Sequence, residues 1–217
     1  MRKILFYICL SIIMLQGCGI KTQEPYANIR NIQSTIGENV VCFGDSLTAG
    51  EGAEKGKDYP SLLATRLGIK VVNAGKSGDT TETALNRVDK VLAQDPKIVI
   101  VEFGANDFLT SFQGGWKEAD TSDVKAFENL KIIVNKIQNS GAVVIIAGIQ
   151  INSKYEKGYK KLASETGSIL MLNILEGIYG NQKYMSPDNR HPNALGYQKI
   201  ADMFVRVIEP LLEEMEK

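Results

Sequence analysis

Short apolar runs alternate with stretches of helical periodicity along most of this chain. Helical periodicity covers 59–67 and apolar positions from 81 to 92, 124 to 137, 155 to 163 and 200 to 212, with Pro210 predicted to kink or restart the last helix. The apolar runs have the length of buried strands, and they are 40–43, 69–73, 98–103, 142–149 and 169–172. Repeated strand–helix alternation favours parallel strands covered by helices on both faces. The sequence therefore predicts an α/β fold, a three-layer α/β/α sandwich on a five-stranded parallel sheet.

Glycine-rich polar segments follow the first three predicted strands. They occupy 44–46, 75–79 and 104–107. In a parallel sheet the carboxyl ends of the strands lie along one edge, and ligands bind in the crevice outside that edge. We therefore expect the three segments to meet there and to form a site.

Ser46 lies just past the first strand in a turn that begins at Gly44. This position would expose its hydroxyl group at the edge of the sheet, where it could act as a nucleophile. A serine that only caps the following helix would fit the same position.

Gly78 precedes 79–82, an aspartate-headed variant of the capping box, so a helix is predicted to begin there. The backbone N–H groups at such a helix start favour negative charge, and Gly78 is a candidate donor to an oxyanion. Gly75 could serve the same turn, and both glycines also fit a purely structural role.

Asn106 follows the third strand, and its side-chain amide could donate to the same oxyanion. An Asx turn is the structural alternative for Asn106. Asp107 is predicted to connect the loops by hydrogen bonds.

His191 is the only histidine of the chain. Asp188, three residues earlier in a short polar turn, could accept a hydrogen bond from one ring nitrogen and fix the tautomer. The other nitrogen would then be free to take a proton from a serine. Pro192 is expected to stiffen the connection to the last helix.

Charge and composition argue against several classes of protein. Lys plus Arg and Asp plus Glu both total 25, so no basic excess indicates a nucleic-acid partner. One histidine and three cysteines without a ligand-type spacing predict neither a metal site nor a bound cofactor. Cys42 lies in an apolar run and is predicted to be a buried small side chain.

The first residues have the layout of an export signal. A short basic start precedes an apolar run that is too short to span a membrane, and the run ends in Leu15-Gln16-Gly17-Cys18. This ending resembles the lipobox of bacterial lipoproteins, in contrast to an ordinary signal peptide or an uncleaved anchor. We expect 1–17 to be a signal peptide, 18–38 a tether lipidated at Cys18, and 39–217 the folded domain of an exported, membrane-anchored lipoprotein.

Four motifs together resemble the GDSL, or SGNH, hydrolase family. Gly44-Asp45-Ser46-Leu47 is similar to its first block, Gly78 to its second, Gly104-x-Asn106-Asp107 to its third, and Asp188-x-x-His191-Pro192 to its fifth. The surroundings of Ser46 and Gly78 are similar to the bacterial branch that contains thioesterase I, lysophospholipase and arylesterases. The motif lacks the second glycine of the G-x-S-x-G elbow of α/β-hydrolases.

The resemblance implies a flavodoxin-like fold and a serine esterase. It implies Ser46 as nucleophile, His191 as base and Asp188 as the residue that orients His191. The implied oxyanion hole consists of the Ser46 and Gly78 backbone N–H groups and the Asn106 side chain.

The implied substrates are small esters: short or medium acyl esters, aryl esters, lysophospholipids or thioesters. A carbohydrate O-acetyl esterase and a non-catalytic binding lipoprotein are the alternatives. The segment after Asn106 is predicted to be a loop. Its apolar residues could line an acyl pocket opposite 149–151, or could simply pack against the edge of the sheet; they are Phe108, Leu109, Phe112 and Trp116.

Overall fold

The computed structural model describes residues 26–113 and 116–217. Five parallel strands form one sheet in the order β2-β1-β3-β4-β5. The strands are β1 (Asn39–Gly44), β2 (Val71–Gly75), β3 (Pro96–Glu102), β4 (Val143–Ala147) and β5 (Ile169–Met171). The helices are α1 (Ser46–Ala49), α2 (Tyr59–Leu67), α3 (Thr81–Leu85), α4 (Val88–Leu92), α5 (Ala105–Gln113), α6 (Trp116–Asn139), α7 (Ser153–Thr166) and α8 (Ala194–Met215).

Alternate residues of the central strands enter two separate hydrophobic clusters. Cys42 and Ile100 pack with α2 and α8 on one face of the sheet. Phe43 and Val101 pack with α3, α4, α6 and α7 on the other. Because both faces are covered, nearly every residue of β1, β3 and β4 is buried. The predicted three-layer α/β/α sandwich with five parallel strands is confirmed, and Cys42 is buried as expected.

Several element boundaries differ from the predictions. The helix predicted from 81 to 92 is two short helices, because the Arg87 side chain points inward to the Ala74 and Gly44 carbonyls instead of out to solvent. The last helix is continuous from Ala194 to Met215 and contains Pro210, so the predicted restart is wrong. The segment after Asn106, predicted as a loop, forms α5.

The predicted tether is too long at its carboxyl-terminal end. Asn31 donates through Nδ2 to the backbone oxygens of Gln138 (2.7 Å) and Ala142 (2.9 Å), and Ile32 is buried in the core on the α2/α8 face. These contacts fix the segment before β1 to the amino-terminal end of β4, so it packs as part of the domain. The predicted signal peptide and the lipidation site Cys18 lie outside the described residues.

Within the described part of the chain, no helix is both long and apolar enough to cross a membrane. The same residues contain no cluster of histidine, cysteine and carboxylate side chains suited to a metal ion.

Candidate active site

Ser46 is the first residue of α1, at the carboxyl end of β1. Asp45 is the N-cap of this single turn, and its Oδ1 accepts a hydrogen bond from the Leu47 N–H (3.0 Å). Because Asp45 caps the helix, the Ser46 hydroxyl is not used as a cap. It is therefore available to a partner across the sheet edge.

His191 and Asp188 form a hydrogen-bonded chain with that hydroxyl group. His191 Nε2 lies 3.0 Å from Ser46 Oγ, and His191 Nδ1 lies 2.6 Å from Asp188 Oδ2. An ionised carboxylate can only accept, so the ring proton is on Nδ1 and Nε2 can accept from the serine.

Asp188 is held in its ionised form by hydrogen-bond donors. The backbone N–H of His191 (3.0 Å), the hydroxyl of Ser186 (2.5 Å) and the backbone N–H of Arg190 (2.8 Å) all donate to its Oδ1. These donors, together with the His191 ring, hold the pKa of Asp188 well below its usual range.

The loop that carries His191 is fixed by neighbouring elements. Asn193 caps α8 and donates through Nδ2 to the carbonyls of Lys183 and Met185. Gly52, in the loop after α1, lies so close that a Cβ there would be 2.9 Å from His191 Cβ and 2.7 Å from the Pro192 oxygen. Neither Asn193 nor Gly52 was predicted from the sequence, although Gly52 follows the Ser46 motif directly.

Asn106 connects the loops after β1 and β2. Its Nδ2 donates to Asp45 Oδ2 (3.1 Å) and to the Asp79 carbonyl (2.9 Å). Asp107 accepts from the backbone N–H (3.0 Å) and the hydroxyl (2.6 Å) of Thr81, which is the structural role predicted for Asp107. The three glycine-rich segments therefore meet at one edge, as expected.

The turn after β2 contains the two glycines between which the sequence left the choice open. Gly75 ends β2, and its N–H already donates to Asn73 Oδ1 (2.9 Å). Gly78 is exposed with a φ of +80°, a left-handed conformation that favours glycine. The geometry leaves Gly78 as the better candidate donor.

The helix after this turn begins at Thr81, but Asp79 is not its cap. Thr80 and Thr83 form the capping box. Asp79 is buried and forms an ion pair with Arg87, so the predicted aspartate-headed capping box is wrong.

Residues 42–199 match the family model described as GDSL-like Lipase/Acylhydrolase family. The chain belongs to this family of ester hydrolases.

Relatives and solved structures agree with this membership. An arylesterase of Vibrio mimicus is 33% identical over 183 residues, which cover 78% of this chain and 87% of the relative. The thioesterase 1/protease 1/lysophospholipase L1 of Escherichia coli K12 is 29% identical, over 83% of this chain and 88% of the relative. A crystal structure of TesA is 28% identical and superposes with a TM-score of 0.72, over 80% of this chain and 99% of that one.

A cleft of about 750 Å³ opens beside Ser46 in this GDSL-family fold. Phe108 and Leu109 line one side, and 149–151 line another, as the sequence suggested. Leu175, Tyr179 and Arg190 complete much of the rim. The side chains of Phe112 and Trp116, proposed for the same wall, lie outside the described part of the structure.

Two acidic side chains lie buried directly beneath Ser46. Asp45 and Glu102 are 1% and 0% exposed, and Glu102 Oε2 accepts from the Asp45 N–H (3.3 Å) and the Thr48 hydroxyl (3.0 Å). Glu102 lies inside the predicted strand 98–103, so only its place in a strand was predicted from the sequence. A glutamate in a run of valines and isoleucines was the available signal.

Proposed function

We propose that this GDSL-family protein hydrolyses carboxylic esters through an acyl-enzyme on Ser46. The observation that carries the proposal is the Ser46–His191–Asp188 chain, with contacts of 3.0 and 2.6 Å. These are the distances at which a base can take a hydroxyl proton and an ionised carboxylate can stabilise the resulting imidazolium.

The reaction would proceed in two acyl transfers. Ser46 Oγ attacks the ester carbonyl while His191 Nε2 takes its proton, and the tetrahedral intermediate collapses as His191 protonates the leaving alcohol. Water then attacks the acyl-enzyme with His191 again as base, which releases the acid and regenerates Ser46.

The oxyanion would be stabilised by three donors. Ser46 is the first residue of α1, so its N–H has no acceptor within the helix. Gly78 N–H and Asn106 Nδ2 would complete the set, and since Asp45 and the Asp79 carbonyl accept both Nδ2 hydrogens in the structure, one of these bonds would be exchanged for the bond to the oxyanion.

The cleft favours an acyl or aryl group as the bound part of the substrate. Its walls beside Ser46 include Phe108, Leu109, Ile149 and Ile151. An apolar wall binds an alkyl chain or aromatic ring better than a sugar, which requires several polar partners. We therefore favour medium acyl esters, aryl esters and lysophospholipids over the alternative of acetylated carbohydrate.

An anchored location would fit such substrates. We propose that cleavage before Cys18 and lipidation of that residue hold the enzyme at a membrane surface, from which lysophospholipids are accessible. Metabolic labelling with a radioactive fatty acid should mark the wild-type protein, whereas Cys18→Ser should be unlabelled.

Turnover of a graded ester series tests the proposed function. We expect Ser46→Ala and His191→Ala to abolish hydrolysis of p-nitrophenyl esters, and wild-type kcat/KM to rise from acetate to medium chains. Parallel assays with lysophosphatidylcholine and acetyl-xylan distinguish the substrate classes. Full activity in Ser46→Ala would refute the mechanism, and efficient release of acetate from acetyl-xylan alone would favour the carbohydrate esterase.

A further inference from the structure

Glu102 is a fully buried acid whose two oxygens have unequal surroundings. Oε2 accepts from the Asp45 N–H and the Thr48 hydroxyl, which in turn contacts the Tyr59 hydroxyl (2.8 Å). Oε1 is also buried but has no hydrogen-bond partner among the described residues. A buried carboxylate oxygen without a donor is strongly unfavourable, whereas a protonated oxygen is itself a donor.

No cation neutralises Glu102 in the described part of the chain. The nearby Arg87 guanidinium is taken up by Asp79 and by the carbonyls of Ala74 and Gly44. Apart from His191, the side chains that face the two buried acids are acidic or neutral. They are Asp45 and Thr48 of the Ser46 turn, Asp58 and Tyr59 at the start of α2, Asp107 of α5, Tyr159 of α7 and Tyr197 of α8.

The Asp45 N–H donates to Glu102 Oε2 (3.3 Å), so the two carboxyl groups are neighbours, and a proton on either one would let them form a side-chain hydrogen bond. Two ionised carboxylates are both acceptors, so this contact requires a proton on one of them. Asp45 accepts from Leu47 N–H and from Asn106 Nδ2, donors that favour its ionised form. Because no described N–H or O–H group donates to Glu102 Oε1, Glu102 is the better place for the proton.

We propose that Glu102 is a protonated carboxylic acid that positions the Ser46 turn and Asn106 through its hydrogen bond to ionised Asp45. This inference rests on the proposed role of Ser46 as nucleophile. Glu102 touches no substrate in this arrangement. It holds the backbone of Asp45, while the Asp45 carboxylate holds Leu47 on one side and the Asn106 amide on the other.

Electrostatics point in the same direction. Burial raises the pKa of Glu102 well above its usual range, and the neighbouring Asp45 charge raises it further. Burial also raises the pKa of Asp45, to about 6, because the Leu47 N–H, the hydrogen bond from Glu102 and the positive charge of a protonated His191 offset only part of the effect of burial.

Infrared spectroscopy of the purified protein locates the proton without any substrate. We expect the wild type at neutral pH to show the carbonyl stretching band of a protonated carboxylic acid. Glu102→Gln should lose this band, whereas Asp45→Asn and the exposed control Glu54→Gln should keep it. A wild type without the band, or a band lost in Asp45→Asn and kept in Glu102→Gln, would overturn the proposal.

Activity of matched Glu102 variants tests the positioning role. A glutamine side chain can donate as a protonated acid does, so we expect Glu102→Gln to retain kcat within about threefold, and Glu102→Leu to lose about tenfold or more with KM little changed. Thermal unfolding confirms that each variant is folded. If Glu102→Gln is folded and as impaired as Glu102→Leu, the proposal is wrong. The infrared result does not depend on hydrolysis, so it tests the protonation of Glu102 even if the proposed Ser46 mechanism is wrong.

Discussion

The Asn106 side chain has two roles. Its amide holds the loops after β1 and β2 together through Asp45 and Asp79, and it is the only side-chain donor in the proposed oxyanion hole. The two amide hydrogens go to Asp45 and Asp79 in the structure, so the oxyanion would take one of them only as its charge develops, and a substitution there should affect the transition state more than substrate binding.

Removal of that amide should be costly. We expect Asn106→Ala to lower kcat by about a hundredfold, or ~3 kcal/mol of transition-state stabilisation, with a small change in KM. Steady-state hydrolysis of a p-nitrophenyl ester measures this. Asn173→Ala, which removes an amide from another wall of the same cleft, is the control and should retain activity. Near-full turnover of Asn106→Ala would contradict the oxyanion assignment.

The activity should fall on the acid side of the pH–rate profile because His191 acts as the base. The pKa of Asp188 is lowered by the donors around it, so this carboxylate stays ionised as the pH falls below neutrality. Imidazole gains its proton between about pH 8 and 5, and the protonated ring cannot accept from Ser46. We expect kcat/KM to fall as the pH decreases, because protonation removes the His191 base and because the pKa of Asp45, which holds Asn106, is raised to about 6. A rate that stays flat to about pH 4 would exclude His191 as base.

The loop after α1 is the element that fixes the position of His191 from the opposite side. Gly52 and Gly56 both have positive φ, +88° and +82°, but a Cβ at Gly52 would contact His191 and Pro192 whereas one at Gly56 would meet nothing within 4 Å. A comparison of substitutions at the two glycines therefore distinguishes the effect of backbone strain from that of steric displacement of His191.

Alanine at these two glycines should have unequal effects on activity. Each substitution should cost about 1 kcal/mol of stability from the left-handed backbone. Gly52→Ala should also lower kcat by about tenfold or more because the histidine loop must move. Denaturant unfolding and ester hydrolysis measure the two effects, and equal activities of the two variants would show that the close approach is unimportant.

At the level of elements, the sequence predicted what depends on periodicity and missed what depends on tertiary contact. The five strands and the edge at which their carboxyl ends meet were predictable, because a sheet that is covered on both faces leaves continuous apolar runs in the sequence. The break before Arg87 was not, because it depends on carbonyls that lie 13 and 43 residues away in the chain. The meeting of the Ser46 and Asn106 segments was predictable, since topology brings the carboxyl ends of parallel strands to one edge. The role of His191 was predicted from its spacing to Asp188 and from the resemblance to the family.

Over the whole molecule, the buried acids connect catalysis to stability. Glu102 and Asp45 lie between the sheet and the Ser46 turn, and burial raises the pKa of both carboxyl groups. The folded protein therefore keeps a proton that the unfolded chain releases above about pH 4.3. Because the folded protein holds this extra proton, its free energy of unfolding decreases as the pH rises from the pKa of the unfolded state toward the pKa of the folded state.

Glu102→Gln should remove this pH dependence. Relative to wild type, its unfolding free energy should increase with pH by up to about 1.4 kcal/mol per unit over that interval. Urea unfolding across a pH series measures the difference, and the exposed control Glu54→Gln should parallel the wild type. Parallel curves for Glu102→Gln and wild type would mean that Glu102 is ionised in the folded protein.

Stoichiometric labelling by a fluorophosphonate tests the central claim most directly. The reagent phosphonylates an activated serine, and digestion followed by mass spectrometry identifies the modified residue. We predict a single adduct on Ser46 that forms rapidly in the wild type, slowly in His191→Ala, and not at all in Ser46→Ala. An unmodified Ser46 in folded wild-type protein, or an adduct that persists in Ser46→Ala, would contradict the account.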